Sequence, residues 1–205
     1  MSGMLIIAIM AALWVALVAF LRAYRIWLPY YLAGAAGAAY WLVLLTHRLL
    51  NTEPLLAYSV AWTVHHLMNL VHVPTRIFEG APGMLLVMVI TQPIGWTALQ
   101  IGVESSGVLE MSVFASLVLF YPGWSWQRRA TISLAGVAAT WVANVVRMVV
   151  ITYMLHAMGK EALVLAHMYV GKALFFALTI GIYWHLITRP TLRGLNEGLV
   201  ARRRS

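Results

Sequence analysis

The sequence predicts an all-α polytopic membrane protein of about five transmembrane helices, joined by an extracytoplasmic amphipathic helix and a short β-hairpin. Three observations carry that prediction. Of the 205 residues, 62% are hydrophobic and only 10% charged, and the mean hydropathy is +0.84, far from the balance of a water-soluble domain. Apolar runs recur at the length of about 20 residues that a helix needs to cross a hydrocarbon core. Finally, 14 Lys and Arg against 6 Asp and Glu give a net charge of +8. The positive residues cluster in short loops and the C-terminal tail, which is the pattern of membrane topology and not of nucleic-acid binding. Residues 1–189 therefore read as a single membrane domain, and residues 190–205 as a basic cytoplasmic tail.

Each element follows in turn. Met4–Leu21 has no basic segment before it and is long enough to span, so it reads as a retained helix and not a cleaved signal peptide. Ile26–Thr46 is the second span. Pro54–Val73 is apolar but carries Ser59, Thr63, His65, His66, Asn69 and His72, which fits an amphipathic helix lying at the outer interface. Met84–Ile90 and Thr97–Val103 are β-prone runs on either side of the turn signal Thr91–Gly95, and together predict a hairpin leading into Glu104. Two further crossings, with Arg76 inside, are the alternative for this stretch. The remaining spans are Gly107–Tyr121, which Ser105 and Ser106 could extend at the interface, then Ala130–Met154 and Met168–Ile187.

Basic residues set the orientation. Arg22 and Arg25 follow the first helix, Arg128 and Arg129 precede the fourth, and Arg189, Arg193 and Arg202–Arg204 follow the fifth. Placing all nine in the cytoplasm puts the N-terminus outside. Arg48, Arg76 and Lys160 remain on the outer side with Glu53, Glu79, Glu104 and Glu161. On this path Ser105, Arg147 and His167 all fall on the outer face, with His167 immediately before the last helix.

Those three residues form a candidate site. An ionisable group near the bilayer centre costs roughly 2.5–3.5 kcal/mol on insertion scales, which makes each one a functional hypothesis. Acyl transfer needs a nucleophile, a group to move its proton, and positive charge for the developing oxyanion. Ser105 or Ser106 could supply the first, His167 the second and Arg147 the third. The start of the third helix would add backbone N–H groups and a positive dipole end, and Gly107 would allow close backbone approach. Asn144, three residues before Arg147, shares its helix face and could orient it. Blander roles stand beside these. The serines could be N-caps, Arg147 could snorkel to phosphates, and Glu110 could be its ion-pair partner. His65 and His72 lack a carboxylate neighbour that would favour metal binding, and Lys172 reads as an interfacial cation. Asp is absent, which excludes a Ser-His-Asp triad and an aspartyl intramembrane protease. Cys is absent too, so there is neither a disulfide nor a thiolate metal site. No cofactor or metal is expected.

The run Glu104-Ser105-Ser106-Gly107, then Asn144-Val145-Val146-Arg147, then His167 resembles the exosortase/archaeosortase family of membrane transpeptidases. Members carry a Glu-Cys-Ser-Gly type motif, Asn-x-x-Arg in the next helix and a His before the last. The resemblance covers residues 55–187 and extends to Ala61-Trp62-Thr63, Asn69, Val73-Pro74 and Gly80. It implies processing of secreted proteins that end in a recognition motif, a transmembrane helix and a basic tail, at the outer face of a prokaryotic plasma membrane. It further implies an acyl-enzyme resolved by water or by an amine acceptor on a lipid or glycan; no nucleic-acid partner is implied.

The chain departs from the family at two places. Ser105 stands where members have the nucleophilic Cys. A thiol with a pKa near 8.5 is partly thiolate at neutral pH, and a serine hydroxyl is not. An engineered serine, a natural serine served by a stronger His167 base, and a non-catalytic relative all fit. Glu110 follows the glycine where many members are basic. Two further alternatives are a rhomboid-like serine protease pairing Ser106 with His167, and a scaffold that binds sorting signals without cutting them.

Overall fold

A computed structural model describes residues 3–48, 53–78, 86–91 and 95–192. It is an all-α polytopic membrane fold carrying a small three-stranded sheet at one end. Among the described residues, four helices are long and apolar enough to cross a bilayer: α1 (Gly3–Ala23), α2 (Trp27–Arg48), α6 (Trp126–Met158) and a continuous helical segment Lys160–Leu192 whose regular centre is α7 (Gly171–Tyr183). The third predicted span, Gly107–Tyr121, is shorter than expected. A four-residue helix, α4 (Val103–Ser106), breaks at Gly107 before α5 (Val108–Leu119) begins. Twelve residues at 1.5 Å each reach about 18 Å, well short of a hydrocarbon core about 30 Å thick.

The arginine clusters gather at one end. Ring contacts Tyr30–Phe120 (5.8 Å) and Tyr31–Tyr121 (6.1 Å) bring the start of α2, just after Arg25, to the end of α5. The Arg128 guanidinium lies 4.6 Å from the Trp124 ring centre, and Tyr121 Oη donates to Thr191 Oγ1 at 3.4 Å, near Arg189. Arg129 Nη1 donates to Leu119 O at 2.9 Å, placing a cation on the last turn of α5 where the helix dipole is negative. Loop charges thus predicted correctly which helix ends meet.

The opposite end holds the best-packed core. Here α3 (Glu53–Leu70) turns Ala57, Val60, Ala61, Val64 and Met68 inward against Met88, Ile90, Leu99 and Ile101 of the sheet and Met148, Ile151 and Leu155 of α6. Strand β3 (Trp96–Ile101) alternates between exposed and buried residues, as a strand with one packed face must. It pairs antiparallel with β2 (Leu86–Thr91), whose other edge takes β1 (Thr75–Phe78). The hairpin expected between residues 84 and 103 is therefore present, while its tip at 92–94 lies outside the described residues. β1 was not anticipated.

Helix boundaries differ where tertiary packing extends them. α6 runs four residues beyond each predicted end of Ala130–Met154, because Ser125 Oγ accepts from Arg128 N at 3.4 Å to cap its start and its far end packs on α3 and the sheet. His167 does not precede the last helix but lies inside it, in the π-helical turn Leu165–Val170. Such wide turns inside helices recur at functional sites. A second one, Trp184–Thr188, closes the segment.

Candidate active site

Gly107 organises the site. Its φ of +76° is left-handed, a conformation open to glycine with little cost, and it is both the last cap of α4 and the first of α5. On α4 both Ser105 N and Ser106 N donate to Gly102 O at 3.1 Å. Ser106 is fully buried, and its Oγ accepts from Val108 N at 3.3 Å, securing the first turn of α5. That arrangement modifies the capping expectation: the helix N-caps are Gly102 and Gly107, and Ser106 braces the break from within it. Ser105, 5% exposed, differs. Its backbone carbonyl is engaged, but no hydrogen bond to its hydroxyl is found among the described residues. The side chain of Glu104 lies outside the described residues.

Asn144 fastens this turn to α6. Its Nδ2 donates to Ser105 O at 2.7 Å, and its side chain packs directly under Gly107. Asn144 was expected to orient Arg147; the structure gives it to the serine turn. Arg147, one turn further along α6 and 8% exposed, stacks its guanidinium 5.1 Å from the Phe175 ring centre on α7. The expected Glu110–Arg147 ion pair does not form: both residues line one cavity, yet no carboxylate oxygen of Glu110 lies within 4.0 Å of the guanidinium, and Oε2 is buried with no hydrogen-bond partner.

Contacts between α6 and α7 set the height of His167. Arg147 meets Phe175, and a Cβ on Gly171 would lie 2.7 Å from Ile151 Cδ1, so the two helices run antiparallel with these pairs at matching levels. His167, four residues before Gly171 and eight before Phe175, therefore stands about two turns beyond Arg147, roughly 12 Å along the axis toward the sheet end. Ala166 beside it is fully buried in the core with Leu155 and Ile151. The fold thus gathers Ser105, Ser106, Gly107, Asn144 and Arg147 tightly, places Glu110 on the adjoining cavity, and sets His167 on the same helix pair nearer the sheet.

Depth follows from the same rise per residue. Asn144 lies 15 residues and Arg147 18 residues from Arg129, about 22 and 27 Å along α6. Measured from the arginine-rich end, the serine turn sits inside a core about 30 Å thick and Arg147 close to its far boundary.

Sequence reasoning missed the cavity itself. It measures about 700 Å³ and is lined by Leu109, Glu110, Arg147, Lys172, Phe175 and Phe176, with Ala173 and Thr179 completing its wall. The spacing 172, 175, 176, 179 marks one helix face, but nothing local to it points across to Glu110 on α5. His65 also has a structural occupation: Nδ1 is 2.7 Å from Thr75 Oγ1, and Nε2 accepts from Asn69 Nδ2 at 3.1 Å. This tautomer ties α3 to β1. Among the described residues no group of three or more metal-ligating side chains forms. No family model, curated protein or solved structure matches the chain.

Proposed function

We propose that the chain is a membrane acyl-transfer enzyme of the exosortase type, with Ser105 in the nucleophile's place, that processes secreted proteins ending in a transmembrane sorting signal. The observation that carries this reading is the Asn144–Ser105 hydrogen bond, which ties the serine-bearing turn to the helix that carries Arg147 one turn away. In this reading Ser105 Oγ bonds to the scissile carbonyl carbon and its proton passes to His167. Arg147 stabilises the oxyanion, and the amide nitrogen leaves with the proton from His167. Water or an amine then releases the acyl group from the serine. The axial offset of His167 leaves room for a substrate strand between it and the serine turn; catalytic hydrogen bonds commonly close only around substrate. The site faces outward from the plasma membrane, in keeping with the loop charges.

A serine in this role requires strong activation, and no hydrogen bond to the Ser105 hydroxyl is found among the described residues. That observation favours a second reading, a scaffold that binds sorting signals without cutting them. The rhomboid alternative is disfavoured because the Ser106 hydroxyl is fully buried and engaged with Val108 N.

Co-expression with a secreted reporter ending in a transmembrane segment and a basic tail separates the three readings. The enzyme reading expects Ser105→Ala and Arg147→Ala each to abolish processing, Ser106→Ala to retain it, and Ser105→Cys to raise it. Loss with Ser106→Ala but not with Arg147→Ala would establish the rhomboid reading. Capture of the reporter with no cleavage by any variant, Ser105→Cys included, would establish the scaffold.

A further inference from the structure

The sheet has two edge strands, and they differ. In the order β1-β2-β3, both β1 and β3 lack a strand on one side among the described residues. β1 carries the exposed Arg76, a charge of the kind that guards natural sheet edges against pairing. β3 carries neither a charge nor a proline from Trp96 to Ile101, and its Ala98 and Gln100 are exposed. Among the described residues, no backbone group outside the sheet bonds to Ala98, Leu99, Gln100 or Ile101. Their outward N–H and C=O groups form a template for another extended backbone.

Position ties that edge to the serine turn. β1 packs on α3 and β2 on both α3 and α6, so β3 is the strand furthest from α3. Leu99 and Ile101 share their core with Ile151 and Leu155 of α6 and with Ala166, the neighbour of His167. Ile151 and Leu155 lie 22 and 26 residues from Arg129, about 33 and 39 Å along α6 and outside a hydrocarbon core about 30 Å thick. An open edge is tolerated at that level and not deeper. From Ile101 the chain continues extended through Gly102 (φ −101°, ψ −167°) into α4, which carries Ser105. Asn144, which holds the serine turn, lies seven residues below Ile151, about 10 Å further in. β3 therefore leads inward, from headgroup level to the serine turn.

We propose that the outer edge of β3 takes up, as a fourth strand, the extended segment of a secreted protein that precedes its transmembrane helix. This rests on the reading that the site receives such proteins, and it holds whether Ser105 cuts them or the chain only binds them. A chain of that kind runs from its secreted part inward to its membrane helix, the direction in which β3 runs to α4. The added strand is therefore parallel to β3, and the residues that follow it reach the serine turn. Main-chain bonds supply the affinity and accept varied side chains, so the choice of sequence falls to the residues beside Ser105.

The chain has no cysteine, so introduced cysteines give unambiguous cross-links. Ala98→Cys and Gln100→Cys are made separately in the full-length chain carrying Ser105→Ala, which keeps the reporter uncut. Each is co-expressed with reporters bearing one cysteine at successive positions before the transmembrane segment, and disulfides formed by a mild oxidant are read on non-reducing gels. Neighbouring strands stand about 4.8 Å apart, within disulfide reach. Adducts are expected at every second reporter position. The favoured position should move two residues toward the transmembrane segment on passing from Ala98→Cys to Gln100→Cys. A move the other way, equal adducts at consecutive positions, or no adduct overturns the proposal. So do adducts between two copies of the chain in place of the reporter, which would make this edge a self-association surface. If a cysteine variant fails to fold, a proline scan of the reporter against the chain carrying Ser105→Ala alone decides. Co-purification should fall about tenfold at alternate positions, the scale of one lost hydrogen bond; uniform tolerance, or no co-purification at all, overturns the proposal. Processing by the parent with neither pattern rejects the β3 edge and leaves the enzymatic reading standing. Both patterns without cleavage by the parent or by Ser105→Cys do the reverse.

Discussion

Gly107→Ala should uncouple the serine turn from α6, at a cost that can be worked out by comparison with a second glycine. Gly107 has φ +76° and Gly123 has φ +87°, so an alanine at either meets the same left-handed penalty of about 1–2 kcal/mol. A more restricted unfolded chain adds back about 0.4–1 kcal/mol to that penalty's stability balance, leaving a net loss of about 1 kcal/mol. At Gly123 that is all, because nothing lies within 4 Å of the new Cβ. At Gly107 the Cβ would lie 3.2 Å from Asn144 Nδ2 and 3.4 Å from its Cγ. Asn144 is fully buried and cannot swing aside, so its 2.7 Å bond to Ser105 O must lengthen or break. A buried carbonyl left unbonded costs about 1–3 kcal/mol. Gly107→Ala should therefore lose about 2–4 kcal/mol, against about 1 for Gly123→Ala. The assay is equilibrium unfolding in mixed detergent–SDS micelles. In an Asn144→Ala background, with the obstructing amide gone, Gly107→Ala should cost no more than Gly123→Ala. Equal costs for the two glycines in the parent, or a coupling energy to Asn144 below about 0.5 kcal/mol, would refute the reasoning.

The same unfolding assay reads three further substitutions. Arg129→Met removes the 2.9 Å bond to Leu119 O at the end of α5; a loss of about 1–2 kcal/mol is expected, with Arg129→Lys recovering part of it. Gly171→Ala puts a Cβ 2.7 Å from Ile151 Cδ1 and 2.9 Å from Ala166 O, and should cost about 1–3 kcal/mol. Adding Ile151→Ala should give no full rescue, because the backbone carbonyl remains in the way. Trp141→Phe removes the 3.2 Å bond from Nε1 to Ser59 Oγ that joins α6 to α3; about 0.5–1.5 kcal/mol should be lost. Ser59→Ala on top of it should then add little.

The fold was legible wherever a single segment carried its own signal. Apolar length marked α1, α2, α6 and the last helix, and the arginine clusters told which ends would meet, because both patterns are local and arise from the bilayer. What the chain did locally but completed elsewhere was harder to read. The ends of α6 extend past the apolar run because Met148, Ile151 and Leu155 find partners on α3 and the sheet, a burial that periodicity shows but cannot assign. β1 is a four-residue strand, Thr75–Phe78, whose existence depends on pairing with β2. The cavity escaped notice because Lys172, Phe175, Phe176 and Thr179 look like an ordinary lipid-facing stripe until Glu110 is brought across from α5.

The site shows the same division, and it sharpens what the serine motif means. A break in a helix at membrane depth exposes backbone groups that lipid cannot satisfy, so it is tolerated only where protein groups answer them. Here the answer uses most of the polar residues that made the motif conspicuous. Gly102 O takes the N–H groups of Ser105 and Ser106, Ser106 Oγ takes that of Val108, and Asn144 Nδ2 takes the carbonyl of Ser105. Each of these residues is accounted for by the break itself, with no appeal to catalysis. The Ser105 hydroxyl is the group at this turn for which the described residues supply no structural role. It lies one turn from the level of a guanidinium held on an aromatic ring. Hydrogen bonding at the turn therefore sets the Ser105 hydroxyl apart from that of Ser106, which is engaged with Val108 N. A chain that needed only the bend could carry alanine at position 105 without disturbing one of these bonds.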